Sequence, residues 1–163
     1  MLRSAMLSAV LAITLGGSLV LGQDVSGSVA ETITARRGLM NQLASIQALI
    51  DARLAASDYS VELYELGQAA AESLDAFALL LPENSNLLGG MPAVEGADTT
   101  AAAAIWDDLP AFQKLLRDTA DQARLASDAA DLAAFSASWS KVAESCASCH
   151  QTYVVYDPFA GLN

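Results

Sequence analysis

The sequence predicts an all-α fold, an antiparallel four-helix bundle with one long crossover loop between helices two and three. Three observations carry that expectation. Nothing downstream of residue 22 sustains the period-two alternation of Val, Ile and Thr that marks a half-buried strand. Four segments there repeat apolar residues at spacings of three and four, as a helix with one buried face requires. Two short connections and one long one join those segments, and that connectivity suits helices packed antiparallel around a common core.

Residues 1–22 read as a signal peptide. Met1-Leu2-Arg3 carries one positive charge, Ser4 to Leu21 carries none, and Val20 and Gly22 occupy the positions a signal peptidase reads, so cleavage before Gln23 is expected. An uncleaved membrane anchor is the rival reading. Gly16-Gly17-Ser18 interrupts the apolar run and the next cation is Arg36, which argues for cleavage and against stable membrane insertion. On both readings the folded part lies outside the cytoplasm. The mature chain, residues 23–163, is long enough for one domain with a single buried core.

The first helix is expected to open at Ser28-Val29-Ala30-Glu31, a capping box in which each side chain bonds the other residue's backbone N–H. Its stripe is Val29, Ile33, Met40, Leu43, Ala44 and Ala48, with Arg36 and Arg37 filling one turn. The second helix starts near Ser57-Asp58 and runs through Tyr59, Leu63, Leu66, Ala70, Leu74, Phe77 and Leu81 until Pro82 stops it. Residues 82 to 104 contain Pro82, Gly89-Gly90, Pro92 and Gly96 and form the long connection. Asp107 or Asp108 caps the third helix, with Pro110 tolerated in its first turn and a stripe of Leu109, Phe112, Leu116, Thr119 and Ala123. The fourth stripe is Leu132, Phe135, Trp139, Val142, Cys146, Cys149, Tyr153 and Tyr156.

Charge narrows the partners. The full chain carries 8 basic and 19 acidic side chains, a formal charge of −11. Such a surface repels nucleic acid and steers the protein towards a basic docking face, although acidity also serves solubility without any partner.

The chemistry concentrates at Cys146-Ala147-Ser148-Cys149-His150, which holds both cysteines and the only histidine. A C-x-x-C-H run reads as a c-type haem attachment site. On a helix, residues i, i+3 and i+4 share a face, so two thiols and one imidazole can meet one planar cofactor. The thiols then add across the two vinyl groups as thioethers, and His150 reaches the iron. Three other readings compete. A disulfide would leave His150 unexplained. A thioredoxin-like pair sits at a helix start after a strand, not late in a helical pattern. A zinc site lacks a fourth Cys or His ligand.

Four helical stripes, an export signal and C-x-x-C-H near the C-terminus together resemble cytochrome c′ and its low-spin relatives, the class II c-type cytochromes. Arg36-Arg37-Gly38-Leu39-Met40, Ile105-Trp106 and Phe112 add to the likeness, which spans essentially the whole mature chain. The resemblance implies one covalently attached haem c per chain, a periplasmic location and a capacity for homodimers through the first two helices. It also places the first helix across the haem face opposite His150. The residue four after that helix's arginine is bulky and apolar in high-spin members and an iron-binding methionine in low-spin ones. Here it is Met40, which otherwise reads as a flexible core residue; Met91, in the loop, is a weaker candidate. Arg36 or Arg37 could pair with a haem propionate, since guanidinium matches carboxylate geometry, or could line a solvated helix face. Trp106, Phe112, Trp139 and Tyr153 read as core or haem-pocket aromatics. One position departs from the family pattern: Val154 stands where a basic residue often follows the haem histidine.

The implied function is electron transfer to redox proteins, with His150 proximal and Met40 distal, and no enzymatic activity. If Met40 does not bind iron, the alternative is a five-coordinate cytochrome c′ that binds nitric oxide or carbon monoxide. A peroxidase-type enzyme would need an open iron position and a distal acid–base group, and the only histidine is already used.

Overall fold

The computed structural model describes residues 28–156; the expected signal peptide, 1–22, lies outside them. In chain order the described elements are α1 (Val29–Ala55), α2 (Val61–Leu79), single 3-10 turns at Glu83–Ser85 and Leu87–Gly89, a four-residue α3 (Ala104–Asp107), α4 (Leu109–Ser127) and α5 (Leu132–Tyr153). The four long helices are the four that the apolar spacing predicts.

Their starts follow local chemistry. The Ser28 N–H donates to the Glu31 carboxylate at 2.6 Å, and the Glu31 N–H donates to the Ser28 hydroxyl at 3.2 Å, completing the capping box. Those bonds, the backbone one foremost, hold the Glu31 carboxyl below the usual carboxylate range. Asp108, not Asp107, caps α4 by accepting from the Ala111 N–H at 3.1 Å. Asp131 caps α5 in the same way, through the Ala134 N–H at 2.8 Å.

Between α1 and α2, Ser57 takes a left-handed backbone (φ 54°), and the Asp58 N–H returns to the Arg53 carbonyl at 3.0 Å. This is how orphan carbonyls at a helix end are commonly satisfied. Tyr59 is exposed and not part of the buried stripe; its hydroxyl donates to the Ala129 carbonyl between α4 and α5. That bond ties the two short connections together at one end of the bundle. The crossover, the start of α1 and the Cys-Cys-His end of α5 therefore lie at the other.

Packing runs α1 on α2, α2 on α4 and α4 on α5, most extensively between α2 and α4. Small residues explain that closeness: Ala70, Ala71, Ala120, Ala123 and Ala126 are buried there. A Cβ on Gly67 would collide with Ser127 Oγ and stand 3.2 Å from the Ala123 carbonyl oxygen. Gly67→Ala is expected to destabilise the protein by about 1–3 kcal/mol, the usual range for overpacking. Adding Ser127→Ala removes the obstructing oxygen and should restore stability, since alanine then contributes its roughly 0.5–1 kcal/mol helix advantage over glycine. Denaturant midpoints compare the two; equal loss in single and double variants would refute the collision.

Besides Tyr59, three stripe assignments need correction. Ala48 is exposed, and Ile46 and Ile50 bury the second half of α1. The reason is that α1 has two working faces. Ile46, Ile50 and Leu54 pack into the core, while Ile33, Arg36, Ala44 and Gln47 border a cavity, and Met40 and Leu43 between them touch both. Leu81 is buried but lies beyond α2, which ends at Leu79, ahead of Pro82. Tyr156 likewise lies past the end of α5 and is exposed.

Candidate functional site

α1 and α5 make no packing comparable to the other three helix contacts. The space between them, about 650 Å³, lies within the roughly 300–1,000 Å³ typical of cofactor sites. Its α5 wall carries Trp139, Val142, Ser145, Cys146, Cys149, His150 and Tyr153. Its α1 wall carries Ile33, Arg36, Arg37, Met40, Leu43 and Ala44. Leu74 and Phe77 of α2 and Phe112 and Leu116 of α4 close the back. All six residues singled out by sequence, Cys146, Cys149, His150, Met40, Arg36 and Arg37, thus border one cavity, although they come from opposite ends of the chain.

Cys146 and Cys149 are half-buried free thiols one helical turn apart. Burial pushes the Cys146 thiol up; burial and the neighbouring Cys146 push Cys149 up to about 11. A thioredoxin-like or metal-binding cysteine needs the opposite shift, because the thiolate is the reactive form. Among the described residues no group of three or more His, Cys, Asp or Glu side chains is placed to hold a metal ion by itself.

The end of α5 is secured by a contact that the spacing of apolar residues could not announce. Val154 leaves the helix with extended backbone and pairs antiparallel with Ala101. The Ala102 N–H donates to the Tyr153 carbonyl at 2.9 Å, and the Val155 N–H to the Thr100 carbonyl at 2.8 Å. The crossover loop is thereby fastened beside His150, and Asp98, Thr99 and Thr100 become part of the cavity rim. At the position that departs from the family pattern, the Val154 N–H donates to the His150 carbonyl at 3.2 Å.

Arg36 and Arg37 differ sharply. Arg37 is exposed at the cavity mouth, whereas Arg36 is only 3% exposed. Arg36 Nη1 donates to Ser85 Oγ at 3.1 Å, while Nη2 is buried with no hydrogen-bond partner. Burial pushes the guanidinium pKa down, yet arginine stays charged. Of the four aromatics, Phe112 and Trp139 are buried and Tyr153 half-buried, all three on the cavity wall. Trp106 stands apart, with its ring 5.5 Å from Arg36 Cζ. No motif marks Ser85, which only the folded crossover brings to α1.

The residues fit a flat, mostly apolar cofactor with acidic substituents. Apolar walls enclose it, two thiols and an imidazole share one helix end, and an orphaned guanidinium nitrogen awaits an anion. A four-helix bundle carrying C-x-x-C-H in its last helix on such a cavity defines a class II c-type cytochrome, which binds haem c.

The chain belongs to the cytochrome c′ family, whose description, Cytochrome C′, matches residues 31–154. It is similar to a cytochrome c′ from Thermochromatium tepidum, with 23% identity and a TM-score of 0.64, covering 80% of this chain and 98% of that one. A cytochrome c prime from Shewanella frigidimarina is similar at 18% identity and a TM-score of 0.65, covering 79% and 98%. A cytochrome c′ described as having an unusual ligand-controlled dimer dissociation follows at 19% identity and a TM-score of 0.63, covering 80% and 98%. No curated protein matches the chain in sequence.

Proposed function

We propose that this protein is a periplasmic electron carrier in which Cys146 and Cys149 hold one haem c covalently, His150 is the proximal iron ligand and Met40 the distal one. The observation that carries this reading is that Met40 on α1 and His150 on α5 border the same cavity, across the one side of the bundle where the helices do not close. Haem supplies an iron that exchanges one electron between ferric and ferrous states. A thioether on that iron favours the ferrous form and raises the potential.

The protein's own part is to bind and to hold still. The two cysteines fix the cofactor to the last turns of α5, and the bridge between Ala101 and Val154 fastens that helix end. Phe112, Leu116 and Leu74 exclude water from the cavity's back wall. Arg36, buried and with no carboxylate bonded to it among the described residues, pairs with a haem propionate; Arg37 offers a second, exposed cation at the mouth. The acidic surface steers the carrier to redox partners with a basic face, and no substrate is transformed. Export rests on residues 1–22. No described helix is long and apolar enough to cross a membrane. Self-association through α1 and α2 is compatible with the exposed Leu49, Val61 and Tyr64 there.

Absorption spectra of the reduced and oxidised protein test the reading. Sharp low-spin bands that do not respond to carbon monoxide are expected, with Met40→Leu converting them to a high-spin, carbon-monoxide-sensitive spectrum at lower potential. A wild type that is already high-spin and binds carbon monoxide would assign the gas-binding function instead. A low-spin spectrum unchanged by Met40→Leu would remove Met40 from the iron.

A further inference from the structure

Arg36 is an expensive residue in this position. A buried guanidinium without an opposite charge is strongly destabilising, and an apolar side chain at the same place would cost nothing comparable. The structure nevertheless builds a holder for it. Ser85 is fully buried in the turn Glu83–Ser85, accepts from Arg36 Nη1, and donates its own proton to the Pro82 carbonyl at 2.7 Å. With that donation made, the Ser85 oxygen is oriented to receive the guanidinium. Trp106 presents its ring to Arg36 Cζ at 5.5 Å, inside the roughly 6 Å reach of a cation–π contact. Its indole Nε1 is buried without a hydrogen-bond partner, so the ring face is the only polar use that position makes of a tryptophan.

Both holders are neutral. They fix the direction of the guanidinium without cancelling its charge, and no ion pair among the described residues involves Arg36. The contrast within the molecule is plain: Arg53 bridges Asp58 and Glu62, and Arg124 bridges Asp75 and Asp121, all partly exposed. Among the described residues, the one buried arginine is the one held by a hydroxyl and a ring. Its Nη2 is left free, and the side chain borders the cavity.

We propose that Ser85 and Trp106 are positioning residues that hold the uncompensated charge of Arg36 against a haem propionate and thereby raise the reduction potential. This rests on the propionate role of Arg36 given above. A fixed cation beside the cofactor opposes the additional positive charge of the ferric state, and its effect falls as the guanidinium is freed to turn towards solvent. The turn Glu83–Ser85 and α3 thus tune the potential although they supply no iron ligand.

Equilibrium redox titration of the holoprotein is the test. Arg36→Leu is expected to shift the ferric-to-ferrous balance about tenfold towards ferric, which is about 59 mV for a one-electron couple. Ser85→Ala and Trp106→Leu should each shift it the same way by about threefold, or ~30 mV by the same constant, with absorption bands unchanged. Ser85→Thr, which keeps the hydroxyl, should restore the wild-type value, and Trp106→Phe, which keeps a ring face, should recover most of it. Should Arg36→Leu lower the potential while Ser85→Ala and Trp106→Leu do not, the holders are structural and the proposal is overturned. Should Arg36→Leu itself leave the potential unchanged, the propionate pairing beneath it falls as well.

Discussion

Replacing Cys146 and Cys149 together by serine is expected to abolish covalent haem retention, read as loss of haem staining after denaturing electrophoresis. Serine keeps the shape and the helix, but its hydroxyl does not form the thioether that a thiol forms with a vinyl group. The single variants should each retain stained haem through the remaining bond, so the double variant alone goes dark. Stability should follow. Cofactor held only by contacts stabilises according to its free concentration, whereas a covalent one cannot dilute away. The cavity explains the size of the effect. At roughly 24 cal/mol per Å³ of unfilled volume, leaving even a third of the 650 Å³ dry costs on the order of 5 kcal/mol. That is comparable to the entire ~5–15 kcal/mol stability of a domain. Stained haem persisting in the double variant would show that attachment uses other atoms.

The Cys-Cys-His end of the candidate site could be read from sequence because it is local. Cys146, Cys149 and His150 sit within five residues, and helical periodicity alone puts them on one face. The four helices were legible for the same reason, since capping at Ser28 and Asp108 and a stripe such as Phe135-Trp139-Val142 need only neighbours in the chain. What was not legible depends on pairings across the fold. α1 serves the core with Ile46 and Ile50 and the cavity with Met40 and Ala44, so its apolar residues spread over two faces and a single stripe mislabels Ala48. Ser85 reaches Arg36 across 49 residues, and Ala101 reaches Val154 from a loop with no strand pattern. The burial of Arg36 contradicts the ordinary expectation for an arginine on a helix surface, and departures of that kind tend to mark functional positions.

Phe112→Ala and Phe135→Ala separate the stability of the bundle from the tuning of its site. Both rings are buried, and each substitution is expected to cost about 3–5 kcal/mol, seen as a lowered denaturant midpoint. Their surroundings differ. Phe135 stacks on Trp139, centroids 6.1 Å apart and rings 17° from parallel, and does not itself border the cavity. Phe112 is cavity wall, and it meets Tyr153 edge-on at 4.7 Å and Phe77 at 6.5 Å. Tyr153 ends α5 three residues beyond His150, and its carbonyl accepts from Ala102 in the crossover. Removing the Phe112 ring therefore loosens the helix end that carries His150, the proposed proximal ligand, and opens the back wall to water. Phe112→Ala should shift the haem absorption bands and lower the reduction potential, while Phe135→Ala should leave both within error of wild type at matched folded fraction. Equal spectral changes in the two variants would mean that iron coordination responds to the rigidity of the whole core, and Phe112 would lose its special place beside the site.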